Sequence, residues 1–241
     1  MLQAVLFDYG DTLFHFAYDE ALLEAGWEAG LAALDRDGLP SSAEAAGRFR
    51  ERYVPLLWVP GALDEIEYPG MIRELLGELG VELSDDELAT FLEAEHDAWE
   101  PARQMAASSH ALLDSLRDRG LALGLVSNAF DPGWLLRNDL ERMDLARRLD
   151  VAVFSSEHGK RKPHPSIFEA ALDGLGIEAE TAIFVGDRRY EDVRGAKEAG
   201  MRAIQALWFR ADDDERGLDP DWEAFTPMDV LNVVRKLLGE L

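Results

Sequence analysis

The stretch AVLFDYGDTLF, residues 4–14, runs four apolar residues into an acid, Asp8. A buried strand that ends on a carboxylate has the form of a catalytic site. Asp11 and Thr12 follow at once. Three other apolar runs are also followed by polar residues. LGLVSN ends on Ser127 and Asn128. IFVGD ends on Gly186 and Asp187, with Asp192 five residues on. The segment after VAVF carries Lys160, Arg161 and Lys162 before Pro163. These residue types suit phosphoryl transfer. A carboxylate can be the nucleophile and take up the phosphoryl group. Mg²⁺ binds a few carboxylates, carbonyls and waters, and Asp8 and Asp187 are candidates to hold it with a backbone carbonyl. Ser127 and a lysine would bind the phosphoryl oxygens and offset charge in the transition state.

Such a site needs a scaffold that brings four distant segments to one edge. Apolar runs of strand length stand at 3–8, 121–126, 151–154, 181–186 and 202–207. Helical patterns at 132–148, 165–175 and 190–199 separate the last four. This alternation predicts an α/β fold with a Rossmann-like parallel-sheet core and right-handed crossovers. In such sheets ligands bind at the carboxyl ends of the strands, where the residues named above fall.

Residues 15–103 break the alternation. Only helical periodicity is present, over 18–35, 42–53, 68–79 and 85–99. LPSS and ELSDDEL offer Ser or Asp as helix N-caps. WVPGALDEIEYPG at 58–70 has the punctuation of a loop. The expected division is a parallel-sheet core, 1–14 and 104–241, with a helical module, 15–103, inserted after the first strand. Helix 106–118 leads back to the sheet. The acidic run 211–221 is expected to be a solvated loop before a last helix at 227–239.

Composition limits the partners. With 48 acids against 24 bases, the net charge of −24 repels nucleic acid and anionic membranes. It would also repel a phosphorylated substrate unless bases gather at the site. No cysteine is present, which excludes disulfides and thiolate metal ligands. No apolar stretch approaches a membrane span, and the first residues do not have the form of a signal peptide. The expectation is a cytoplasmic protein, monomeric or homodimeric, acting on a small phosphorylated metabolite.

Four motifs in order resemble the haloacid dehalogenase-like hydrolases. VLFDYGDTL is similar to the family's first motif, LGLVSN to its second, GKRKPHPSIF to its third and IFVGDRRYEDVRGAKEAGM to its fourth. The helical segment after the first motif resembles the family's C1 cap. The resemblance implies Asp8 as nucleophile and Ser127 as phosphate ligand, with Asn128 beside it. It implies Lys162 as the cation that holds nucleophile and phosphate charge. Mg²⁺ would be held by Asp8, the Gly10 carbonyl and Asp187, with Asp192 in or just behind its coordination sphere.

One departure stands out. The family's phosphatases usually read D-x-D-G-T, with the second Asp as general acid and base. Here that place is Gly10 and the acid is Asp11, so D and G are exchanged. Asp11 can be a turn-stabilising carboxylate or an acid/base acting from a shifted position. Haloacid dehalogenases also lack that Asp, because halide leaves without a proton, but they usually lack the Asp found here as Asp187. Phosphonoacetaldehyde hydrolases use a cap lysine, and the first lysine here is Lys160. A weakened member that binds a phosphorylated ligand is the third alternative. Arg188 and Arg189 are further candidates for substrate contact. Phe14, His15 and Phe16 stand at the hinge, and Tyr53, Trp58 and Tyr68 are candidates for the cap face. His96, His110, His158 and His164 form no ligand spacing.

Overall fold

The computed structural model describes residues 1–57, 59–209 and 214–240. Its strands are β1 (Ala4–Phe7), β2 (Phe14–Phe16), β3 (Arg103–Met105), β4 (Ala122–Ser127), β5 (Val151–Phe154), β6 (Ala182–Gly186), β7 (Arg202–Ala206) and β8 (Trp222–Ala224). Among the described residues, six form one parallel sheet in the order β5-β4-β1-β6-β7-β8. The chain starts in the middle and grows outward on both sides, so β1 lies between β4 and β6. That reversal of direction is the switch point where such sheets open a crevice.

All four residues of β1 are buried, as expected for a central strand covered on both faces. Side chains alternate between the faces. Val5 and Phe7 pack with Leu123, Leu125, Ile183 and Val185 under the helices Ser109–Arg117 and Pro227–Leu237. Ala4 and Leu6 pack on the other side with Phe184, Ile167 and Phe168 under the helix Pro165–Leu175. The sheet is therefore a rigid platform, and its carboxyl edge fixes Asp8, Ser127 and Asp187 in space.

The segment between β2 and β3 is helical, as its periodicity predicts. Its main helices are Glu20–Ala33, Ser42–Arg52, Tyr68–Glu78 and Asp85–Ala98. Ser41 accepts from the Glu44 N–H, and Ser84 forms a reciprocal cap with Glu87. These helices enclose a hydrophobic core of their own around Trp27, Phe49, Ile72 and Phe91. Tyr53 and Tyr68 belong to that core. Trp58 lies outside the described residues.

Three local readings differ from the sequence expectation. β2 and β3 pair antiparallel, Phe14 with Met105 and Phe16 with Arg103, and form a two-stranded stem where the helical segment leaves and rejoins the core. Part of the acidic run 211–221 lies outside the described residues; the segment after it adds β8 to the sheet edge beside β7. The helical pattern at 132–148 ends at Arg142, followed by a short 3₁₀ turn, Ala146–Arg148.

Candidate active site

β1 ends one residue before Asp8, whose backbone N–H still donates to the Val185 carbonyl at 2.8 Å. The carboxylate is therefore held at the sheet's carboxyl edge. Lys162 Nζ lies 2.5 Å from Asp8 Oδ1 and 2.6 Å from Asp192 Oδ1. All three residues are buried. Burial alone would pull the Lys162 pKa down, but Asp192 and Asp8 outweigh it and hold it above the usual lysine value. The ammonium thus stays charged between two carboxylates. Burial raises the Asp192 pKa, against the pull of Lys162.

Lys162 is held by its backbone as well. Its N–H donates to Asn128 Oδ1 at 2.7 Å, and Asn128 Nδ2 donates to the Lys162 carbonyl at 3.1 Å. Asn128 therefore joins the loop after β4 to the loop that carries the lysine. Ser127, the last residue of β4, is buried and lines the same cavity. Thr12 is buried with its hydroxyl 3.5 Å from Asp8 Oδ2.

Asp187 follows β6 directly, and Gln205 Nε2 on neighbouring β7 donates to its carbonyl at 3.2 Å. Asp187 is buried. Each of Asp8, Asp187 and Asp192 offers one oxygen within 4.8 Å of the others. Gly186 makes that grouping possible, since a Cβ there would stand 2.4 Å from Asp192 Cγ. Asp192 is also fixed by the Arg188 N–H, which donates to Oδ2 at 2.9 Å. Three buried carboxylates, two of them in contact with Lys162, form a set of hard oxygen donors. That donor set fits Mg²⁺.

The cavity over these residues has a volume of about 840 Å³. Asp8, Gly10, Ser127, Asn128 and Lys162 line its floor, and Arg50, Val54 and His96 from the helical segment line the opposite wall. A ligand there would be held between the two parts of the chain.

The motif exchange has a structural counterpart. Asp11 has φ = +58°, the left-handed region that favours glycine. Asx residues tolerate it better than most. The Asp11 carboxylate sits 2.8 Å from His15 Nδ1, and the Phe16 N–H donates to it at 3.4 Å. It thus braces the turn into β2, although it also lines the cavity. Gly10 has no positive φ, and a Cβ there would meet nothing nearer than Phe14 Cζ at 4.0 Å.

A model of the haloacid dehalogenase-like hydrolases matches residues 2–200. The chain belongs to the haloacid dehalogenase-like hydrolases. Within that family it is 30% identical to a glyceraldehyde 3-phosphate phosphatase of Methanopyrus kandleri, over 98% of this chain and 99% of the relative. It is 32% identical to a phosphoserine phosphatase of Thermus thermophilus, over 86% of this chain and 70% of the relative. Among solved structures it resembles a 2-haloacid dehalogenase from Pseudomonas syringae pv. Tomato DC3000, with a TM-score of 0.69, 25% identity, and coverage of 98% of this chain and 100% of that one. As a member of this family the protein is a hydrolase, and its curated relatives named here are phosphatases.

Two polar clamps that the sequence reading missed join the helical segment of this hydrolase to its sheet domain. Glu65 reaches across to Arg161 at 2.9 Å and to the Ser155 hydroxyl, which also accepts from the Ala129 N–H at 2.8 Å. Lys160 pairs with Asp64. The basic turn at 160–161 is therefore engaged by acids of the helical segment. In the second clamp, His96 lies 3.0 Å from Asp131 Oδ1 and 2.9 Å from Asp139 Oδ2. Arg103 Nε is 3.3 Å from the same Asp139 oxygen. Burial opposes charge on the imidazole, but hydrogen bonds to Asp131 and Asp139 prevail and raise its pKa to about 9. Beside it, burial raises Glu95 to about 7.

The remaining candidates separate. Phe14 and Phe16 line the cavity, whereas His15 stacks on Phe209 with centroids 5.1 Å apart. His164 caps the helix Pro165–Leu175, its Nδ1 accepting from the Ser166 N–H at 3.2 Å. His158 bonds the Ser166 hydroxyl, and His110 the Met143 carbonyl. Arg189 pairs with Asp219 at 2.5 Å, away from the cavity, while Arg188 lines it.

Proposed function

We propose that this chain is a Mg²⁺-dependent phosphatase of small phosphate monoesters, working through an aspartyl-phosphate at Asp8. The observation that carries the reading is the buried group of Asp8, Lys162, Asp187 and Asp192 beneath a cavity at the sheet's switch point. The curated phosphatase relatives support it.

Asp8 attacks phosphorus through a carboxylate oxygen, and the ester P–O bond breaks. The leaving oxygen departs as an alkoxide that needs a proton. Water then attacks the phosphoryl phosphorus, which frees Asp8 and yields inorganic phosphate. Lys162 keeps the Asp8 oxygen in place and offsets charge on the phosphoryl oxygens; Ser127 donates to them. Asn128 positions Lys162. Asp8, Asp187 and the Gly10 carbonyl would hold Mg²⁺, with Asp192, engaged by Lys162 and the Arg188 N–H, directly behind. When bound, the metal supplies positive charge against the phosphoryl oxygens. In this reading the domains divide as 1–14 and 104–241 for the core and 15–103 for the cap, which excludes water from the bound ester.

The step with least support from side chains is protonation of the alkoxide. Position 10 offers no carboxylate, and Asp11 is engaged in its turn. The reading therefore favours esters whose leaving group is already stable as an anion. The same feature favours a second reading, hydrolysis of a 2-haloacid, because halide leaves unprotonated. Phosphate and halide release should be measured over a panel of small phosphate monoesters and 2-haloacids, with Mg²⁺ and with excess chelator. Phosphate release that needs Mg²⁺ is expected. Halide release that survives the chelator, without phosphate release, supports the second reading instead.

A further inference from the structure

The cavity wall is a paired surface with one exception. Arg50 has Glu20 at 3.9 Å, His96 and Arg103 share Asp139, Arg161 has Glu65, Lys162 has Asp8, and Arg216 has Asp214. Arg188 is the remaining cation on that wall, and its guanidinium has no ion-pair or hydrogen-bond partner among the described residues. Glu191, three residues along on the same wall, lies close enough for Arg188 to pull its carboxyl pKa down against the effect of burial, but forms no ion-pair contact with it. This occurs in a chain with 48 acids against 24 bases, where a nearby carboxylate is the ordinary condition of an arginine. The neighbouring Arg189 shows that condition, being paired with Asp219.

A half-buried guanidinium with no carboxylate in direct contact leaves its hydrogen-bond donors for a ligand to fill. Its planar fork suits a carboxylate, which it can bind through two parallel hydrogen bonds. The transferred phosphoryl group already has Lys162, Ser127 and the metal set to meet its charge. The backbone of Arg188 is fixed by its N–H bond to Asp192, so the side chain departs from the catalytic floor at a set point.

We propose that Arg188 is a specificity-determining residue that binds a carboxylate on the substrate, so that the preferred substrates are small phosphate monoesters bearing a carboxylate. This rests on the phosphatase reading above. The test compares two esters that differ at one end: 3-phosphoglycerate, with a carboxylate, and glycerol 3-phosphate, with a hydroxymethyl group there. Wild type should favour 3-phosphoglycerate in kcat/KM. In Arg188→Ala that preference ratio should fall tenfold or more, chiefly through KM, and Arg188→Lys should retain part of it. A structural defect would lower both rates and leave the ratio in place. An unchanged ratio overturns the proposal. So does an equal loss on both esters, which would assign the guanidinium to the transferred phosphoryl group.

A binding arm separates this proposal from the phosphatase reading. Phosphonoacetate and ethylphosphonate cannot be hydrolysed at a phosphate ester bond, and only the first has a carboxylate. Calorimetry on wild type should show tighter binding of phosphonoacetate, and Arg188→Ala should abolish the difference. Equal binding of the two probes, or binding of neither, overturns the proposal. If wild type hydrolyses no ester yet shows this Arg188-dependent preference, the phosphatase reading fails and the carboxylate site stands.

Discussion

Asn128 and Lys162 hold each other by two hydrogen bonds, 2.7 Å from the Lys162 N–H to Asn128 Oδ1 and 3.1 Å from Asn128 Nδ2 to the Lys162 carbonyl. The amide thus holds the chain on both sides of the lysine's Cα without touching its ammonium. Asn128→Ala removes both bonds and leaves the charge. Each bond is worth about 1 kcal/mol net, so a stability loss of about 1–3 kcal/mol is expected. If Lys162 placement governs the chemical step, kcat should fall about tenfold or more, with little change in KM. Steady-state kinetics on the folded variant check this. A kcat within twofold of wild type would show that the lysine needs no such brace.

Gly10 and Asp11 make the motif exchange testable with little structural cost. Position 11 has φ = +58° and would take glycine without strain, while position 10 has room for a side chain. Gly10→Asp with Asp11→Gly should therefore fold, and it places a carboxylate where the family's phosphatases carry their acid and base. Positioned acid/base catalysis is worth roughly 10²–10⁴-fold. The double variant should gain rate on alkyl phosphates and gain little on aryl phosphates, whose leaving group needs no proton. Asp11→Ala should be close to neutral in rate. A loss of a hundredfold or more in folded Asp11→Ala, about 2.7 kcal/mol, would assign the acid/base role to Asp11 in its shifted place.

His96 gives the stability a pH dependence of defined sign. Burial disfavours its charge, but Asp131 and Asp139 raise its pKa to about 9, above the ordinary 6.5. A raised pKa stabilises the fold fully below the unfolded value, and the stabilisation is lost as pH rises through the folded value. The contribution should therefore be complete below pH ~6.5 and decline toward pH ~9, by about 3 kcal/mol at most. Glu95, raised to about 7, acts in the same direction at lower pH. Denaturant unfolding at pH 6 and pH 9 should show a smaller decline in His96→Gln than in wild type. Equal declines would place the pH dependence elsewhere.

The legible part of this protein was the part written as strand ends. Asp8, Ser127 and Asp187 each close an apolar run, and a parallel sheet brings such ends together whatever lies between them. Lys162 could be placed only through its resemblance to a family motif, since its position depends on a loop and on Asn128. The stem of β2 and β3 was hidden because its strands are three residues each and far apart in sequence. β8 was hidden by its length and by the acidic run before it. His96, Arg103, Asp131 and Asp139 have no common spacing and meet only when the helical segment docks on the core. The difference between Arg188 and Arg189 depends on the turn after Asp187, about which composition says nothing.

The nucleophile is tested most directly by Asp8→Asn. An amide cannot attack phosphorus, yet it keeps the size of the side chain and can still face Lys162. Phosphate release from a monoester that wild type hydrolyses, in saturating Mg²⁺, should fall below about a thousandth of the wild-type rate, a barrier rise of more than ~4 kcal/mol, while the far-ultraviolet circular dichroism stays unchanged. A folded Asp8→Asn protein that keeps more than about a tenth of the rate, a barrier change under ~1.4 kcal/mol, would show that the phosphoryl group is not transferred to Asp8.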